Sequence, residues 1–349
     1  MKALVYQGPG NTVWADVPKP AVEKPTDAVV RILRTTICGT DLHILKGDVP
    51  EVTPGRILGH EGIGVVEAVG SAVTRFKVGD RVLISCITAC GKCEACKRGM
   101  YSHCADGGWI LGHLIDGTQA EYVRIPHADN SLYELPAGVD ESALVMLSDI
   151  LPTGFEVGVL KGQVQPGQTV AIVGAGPVGL AALLTAQFFS PARLLVVDQD
   201  ENRLAVARRL GATDTVNSAT APAAKTILEW TGQRGVDVAI EAVGVPATFE
   251  ICQDIVAAGG HIANIGVHGR SVELHLERLW THNVTITTGL VDTNSTPMLL
   301  KTVVSGRLDP TALITHTFRL EDVIQAYEVF GRAADHQALK VILTAESGG

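Results

Sequence analysis

Apolar residues do not keep one period along this chain. Up to about Leu151 they come in short Val/Ile-rich pieces, such as residues 28–33, 64–69 and 81–85, separated by Gly, Pro and Asp. Runs of that kind between turn-forming residues predict strands and loops. Beyond Gly167 the texture changes. Residues 169–173 (TVAIV) read as a buried strand, 178–189 as a helix and 194–197 (LLVV) as a second strand, together a βαβ unit. Residues 236–240, 246–257 and 261–265 continue the alternation, which predicts a parallel, doubly wound sheet in the second half. The class is α/β, and 349 residues exceed one ordinary core, so two domains are expected.

One stretch, residues 169–197, is apolar enough to raise a membrane span. Gly174, Gly176, Pro177, Gly179 and Pro191 interrupt it at turn-like spacings, so strand, helix and strand fit it better. With 46% hydrophobic and 19% charged residues the composition is that of a globular protein. A formal charge of -9 without any Lys/Arg-rich block argues against nucleic acid as a partner. Residues 1–6 read as a first strand rather than a leader, and a cytoplasmic location is expected.

Four of the seven cysteines fall between Cys90 and Cys104. In Cys90-x2-Cys93-x2-Cys96-x7-Cys104 three close thiols and a fourth on the returning loop can surround one ion, which suits a closed, tetrahedral structural zinc. Clustering of this kind in a reducing compartment points to metal more than to disulfides. A dispersed signal lies in Cys38-Gly39-Thr40-Asp41-Leu42-His43 and in Gly59-His60-Glu61. Taken singly, Cys38 and His60 read equally well as packed or surface residues.

The run Gly174-Ala175-Gly176-Pro177-Val178-Gly179 follows the buried strand and opens the helix. Its backbone amides can approach a pyrophosphate at the positive helix end. Asp198 ends the next strand, where a carboxylate can accept from ribose hydroxyls and repel a 2′-phosphate, so NAD is expected as cofactor. Arg203, five residues on, can neutralise such a phosphate and pulls toward NADP. Asp198 also reads as a simple strand-end turn residue.

Gly59-His60-Glu61-x2-Gly64-x5-Gly70 resembles the zinc signature of the medium-chain dehydrogenase/reductase superfamily, and the cysteine lobe and Gly-rich turn follow in that family's order. The resemblance covers essentially the whole chain and is closest to the zinc-containing microbial alcohol dehydrogenases. It implies a chaperonin-10-like catalytic domain of residues 1–153 and 293–349, and a Rossmann domain of residues 154–292. It implies two Zn2+ per chain, with Cys38 and His60 as catalytic ligands. Asp149, in the segment MLSDILPTG, stands where many relatives have cysteine and the secondary-alcohol dehydrogenases have aspartate. Ser148 and Asp149 are also common helix caps. Glu61 is similar to a residue that enters the zinc shell in some relatives, or else supports it from behind. Asp41 resembles a partner of the histidine ligand.

By the same resemblance Thr40 and His43 relay a proton with the cofactor ribose. Residues 265–267 (Ile265 and Val267 among them), Leu290 and Val291 line the nicotinamide, Lys340 contacts the pyrophosphate, and Trp109 and Cys86 shape the alcohol pocket. The function implied is hydride transfer between a small primary or secondary alcohol and NAD, in a homotetramer or dimer. A polyol, an amino alcohol or a formaldehyde adduct fits the same chemistry, a silent binding protein fits the scaffold, and a zinc-free quinone or enoyl reductase fits the fold without these ligands.

Overall fold

The apolar run TVAIV forms the strand Thr169–Val173. It is covered on both faces, which is why its sequence is continuously apolar rather than alternating. In the computed structural model, which describes residues 1–345, it lies in a parallel sheet of six strands. Their order is Asp214–Asn217, Arg193–Asp198, Thr169–Val173, Val236–Glu241, Val256–Asn264 and Thr285–Thr288. Numbered in chain order within this unit, that is 3-2-1-4-5-6, the doubly wound dinucleotide-binding order. The winding reverses between Thr169–Val173 and Val236–Glu241, and a crevice outside the carboxyl ends of those two strands is where such sheets take a ligand. Ala171, Val173, Leu195, Ala239 and Ile262 from the sheet share one core with Ile227, Phe249 and Cys252 of the helices Ala223–Trp230 and Pro246–Ile255.

The other unit is built on a mixed seven-stranded sheet. Its order is Ile314–Arg319, Lys340–Thr344, Ala28–Ile37, Gly62–Val69, Arg81–Ile84 and Leu132–Glu134, with Tyr122–Ile125 also paired to Ala28–Ile37. Ala28, Val30 and Ile32 alternate onto one face and pack with Val66, Val82 and Val123. Ile37, further along, belongs to a second core with Leu58, Tyr327 and Val341.

The chain divides at Asp149/Ile150 and again at Val291/Asp292, a few residues before the boundaries expected from sequence. The physical reason is local. The short helix Ile150–Thr153 is buried and packs with the Rossmann helix Pro177–Ala186, and Gly154 touches the backbone of Ala181 and Ala182 so closely that a Cβ there would lie 2.6 Å from Ala182 N. Two elements carried no sequence signal: the helix Gly39–Lys46 and the π-helical segment Gly154–Leu160. Among the described residues no helix is long and apolar enough to cross a membrane.

Candidate active site and metal centres

Cys38 ends up in the first unit at the junction of the strand Ala28–Ile37 and the helix Gly39–Lys46, where it is the N-cap. His60 and Glu61 precede the strand Gly62–Val69. Gly59 before them has φ +93, and a Cβ there would meet Gln119 at 2.7 Å, so only glycine lets the loop pass. Asp149 closes the first segment of the unit.

These four residues present ligand atoms all within 4.8 Å of one another. Asp149 Oδ2 lies 3.6 Å from Cys38 Sγ and 3.3 Å from His60 Nε2, while Asp149 Oδ1 accepts from Cys86 Sγ at 3.6 Å. Zinc bonds of about 2.0–2.3 Å at tetrahedral angles give ligand-to-ligand edges of about 3.3–3.8 Å, so Cys38, His60 and Asp149 fit three corners of one ion. The aspartate therefore faces the cluster. The hydroxyl of Ser148 is 3.1 Å from Gly62 N, which donates to it.

The surroundings hold this arrangement. Asp41, wholly buried, stands 3.9 Å from His60 Nδ1, and its other oxygen accepts from Cys38 N at 2.9 Å and Gln119 Nε2 at 3.0 Å. Gln119 in turn accepts from the Tyr327 hydroxyl at 2.8 Å. Burial alone would lower the affinity of His60 for a proton, but Asp149 and Cys38 against it hold its pKa well above the usual histidine range. Burial pushes the Cys38 thiol up, and Lys340 opposes that shift. A histidine, a carboxylate and a thiol packed into one buried volume is an arrangement whose charges a divalent cation can balance.

Lys340 was expected on a pyrophosphate. In the structure its side chain is 1% exposed and its ammonium sits 2.6 and 2.8 Å from the two oxygens of Glu61. Glu61 also accepts from the Thr36 hydroxyl. Burial raises the Glu61 pKa while Lys340 draws it back.

Thr40 Oγ1 is 3.8 Å from Cys38 Sγ, and His43 Nδ1 meets Asp48 Oδ2 at 2.8 Å. Cys86 is buried against the cluster. The Trp109 ring stacks on His113 at 4.3 Å, with His113 Nδ1 2.9 Å from the Trp109 carbonyl. Asp48, Gln119, Tyr327 and His113 escaped the sequence reading. Only Asp48 and His113 lie close enough in sequence to their partners, at i+5 and i+4, to have been suggested by it.

In the cysteine lobe all four thiols are free and converge. Cys90 and Cys96 sulfurs are 4.0 Å apart, too far for a disulfide and near the edge of about 3.8 Å expected for four thiolates around zinc. Cys90 N donates to Cys104 Sγ at 3.2 Å. Backbone hydrogen bonds from Ala105 and Cys96 draw the Cys93 thiol down to about 6, whereas burial sends Cys96 up to about 12.

In the second unit each glycine of the turn has its own reason. Gly174 has φ +112, Gly176 is open except for Arg203 Nη1 at 3.9 Å, and a Cβ on Gly179 would fall 1.9 Å from Gly174 O. These are the turn, the open approach for a ligand and the close helix–strand packing of a dinucleotide fingerprint. Pro177 and Val178 open the helix after the extended N-cap Gly176. Asp198 accepts from Ala175 N at 2.7 Å and Asp200 N at 2.9 Å. Arg203 Nε has no hydrogen-bond partner and is 3.9 Å from Asp200 Oδ2. Val267 and Leu290 are exposed at strand ends, Val291 is buried, and Ile265 N donates to the Glu241 carbonyl at 2.8 Å.

A chaperonin-like unit with two candidate zinc sites, joined in one chain to a doubly wound dinucleotide unit, defines a medium-chain, zinc-dependent dehydrogenase. Residues 24–137 match the alcohol dehydrogenase GroES-like domain and residues 177–305 the zinc-binding dehydrogenase domain. The chain is 37% identical over 362 residues to an alcohol dehydrogenase of Cupriavidus necator, covering 96% of each. It is 34% identical to a probable NADP-dependent isopropanol dehydrogenase of Mycoplasma pneumoniae, over 91% of this chain and 93% of that one. The solved structure of zinc-dependent alcohol dehydrogenase 2 from Streptococcus pneumonia, in its apo form, superposes with a TM-score of 0.96 at 58% identity, covering 100% of this chain and 99% of that one. The chain belongs to the zinc-dependent alcohol dehydrogenases of the medium-chain superfamily.

Proposed function

We propose that this alcohol dehydrogenase interconverts a small primary or secondary alcohol and its carbonyl with NAD(H), using a catalytic zinc on Cys38, His60 and Asp149 and a structural zinc on Cys90, Cys93, Cys96 and Cys104. The convergence of those first three side chains, with the Asp149 edges suited to one tetrahedral ion, carries the reading. When bound, zinc supplies Lewis acidity toward the substrate oxygen, and the nicotinamide exchanges hydride with the carbon. The protein's part is positioning and proton movement. Asp48 only accepts, so His43 carries its hydrogen on Nδ1 and leaves Nε2 as a base. Thr40, beside Cys38, is the hydroxyl that takes the alcohol proton on its way to His43. Trp109 on His113, with Cys86, makes an apolar wall suited to a short carbon chain.

A second reading, NADP(H) as cofactor, is favoured by one observation: Arg203 has an unpartnered Nε and a terminal nitrogen beside Gly176. Asp198 favours NAD(H). Assembly into a homotetramer, or into a dimer, is supported by Trp280, 75% exposed, and Leu276, 59% exposed, which shortly precede the edge strand Thr285–Thr288 in the chain. Seven unpaired thiols suit a cytoplasmic location. Metal analysis paired with reduction of NAD+ and NADP+ across short primary, secondary and benzylic alcohols tests the reading. About two zincs per chain with NAD+-linked turnover is the outcome expected from the two ligand sets. Zinc only in the cysteine lobe and no alcohol oxidation would sink it.

A further inference from the structure

Glu241 ends the strand Val236–Glu241 and pairs in register with Val173, the residue before Gly174. It therefore stands where the sheet's winding reverses. Its side chain is wholly buried, a place where a carboxylate survives only with partners. Oε1 accepts from Val243 N and Gly244 N, each at 2.9 Å, and from Thr248 Oγ1 at 2.6 Å. Oε2 has His268 Nε2 3.4 Å away. That nitrogen is also 2.8 Å from Asn264 Oδ1, and Asn264 donates its amide to Gly266 O at 3.0 Å. The Asn264 oxygen thus faces the ring, and His268 Nε2 carries a hydrogen.

The backbone repeats the connection. The Glu241 carbonyl accepts from Ile265 N at 2.8 Å and Gly266 N at 3.2 Å. A Cβ on Gly266 would lie 2.3 Å from Glu241 Oε2, and one on Gly244 would lie 2.2 Å from Val267 O. One on Gly174 would meet Val243 Cγ2 at 2.5 Å. Residues 242–245 and 265–268 meet at one carboxylate, and Gly174 of the Gly-rich turn packs against the first of these segments.

We propose that Glu241 is a positioning residue for the dinucleotide, holding the two segments beside the Gly-rich turn in their binding geometry before the cofactor arrives. The proposal rests on the dinucleotide reading of that turn. Three donors converge on Glu241 Oε1, whereas Oε2 stands 3.4 Å from His268 Nε2, whose hydrogen points to Asn264, and has no hydrogen bond of its own among the described residues. A glutamine keeps the shape, but it either turns its N–H2 onto three donors or leaves them an uncharged carbonyl in place of a carboxylate, so the hydrogen bonds that hold residues 242–245 weaken.

The test uses the zinc-loaded, full-length protein. NADH and NADPH are titrated by their fluorescence into wild type, Glu241→Gln and Thr248→Val, with cofactor KM and kcat measured alongside. Hydrogen exchange is followed at residues 242–245 and 265–268. Glu241→Gln is expected to weaken cofactor binding by about tenfold or more, the effect of one lost buried hydrogen-bond set. Its cofactor KM should rise while kcat at saturation stays within about threefold, and exchange should quicken in the two segments. Thr248→Val, which removes one donor and no charge, should shift affinity the same way by a smaller factor, and it carries the test if Glu241→Gln does not fold. Folded variants with wild-type affinity, or a fall in kcat at unchanged cofactor KM, would overturn the proposal. Wild type that binds neither nucleotide would instead overturn the dinucleotide reading beneath it.

Discussion

At the scale of single residues the cluster of Cys38, His60, Glu61 and Asp149 is a set of acceptors and a thiol that the fold forces to share one volume. Asp41 shows how far that control reaches. One of its oxygens takes the Cys38 amide and Gln119, and the other looks toward His60 Nδ1. Asp41→Asn replaces an acceptor with a donor against those same groups. It should lower zinc affinity at the catalytic site by about 10–100-fold, as loss of such supporting partners does, and leave the cysteine lobe loaded. Chelator competition on purified protein reads both sites. The four lobe cysteines stood out in the sequence through residue type and spacing, whereas Cys38 and His60 were singled out only by the resemblance to the family's zinc signature. The partnership of Glu61 with Lys340 was not, because 279 residues separate them and a lone lysine on a strand carries no mark of what it will face.

At the scale of elements the two ends of one turn make opposite demands. Gly179 is pinned by helix–strand packing, its Cβ position 1.9 Å from Gly174 O, whereas Gly176 faces open space. Gly179→Ala should therefore cost about 1–3 kcal/mol of stability through overpacking, measured by denaturant unfolding. Gly176→Ala should leave unfolding unchanged within about 0.5 kcal/mol and weaken nucleotide binding in a fluorescence titration. The parallel sheet was readable because continuous apolar runs spaced by helices have few other solutions. The helix Gly39–Lys46 was missed because its first residues, Gly-Thr-Asp, read as a turn until Asp41 accepts from Cys38 N and Gly47 closes it with φ +84.

Across the whole molecule, two units with separate cores are expected to respond separately to metal removal. If the cysteine lobe carries the proposed structural zinc, stripping it, or Cys93→Ser, removes the group that would hold four loop thiols together. A loss worth roughly 2–3 kcal/mol should lower Tm by about 5 °C or more. Scanning calorimetry with and without chelator checks it, and a melt unmoved by zinc removal would deny the lobe a structural role. The amino-acid pattern by itself determined that there are two domains, which half is the doubly wound sheet, and where four thiols gather, since these follow from local periodicity and short spacings. Only tertiary structure decided that Asp149 turns its oxygens on Cys38, His60 and Cys86, that Lys340 is buried on Glu61, and that Glu241 sits between residues 242–245 and His268. Those contacts join positions from distant parts of the chain, and burial, not sequence spacing, makes each partner necessary.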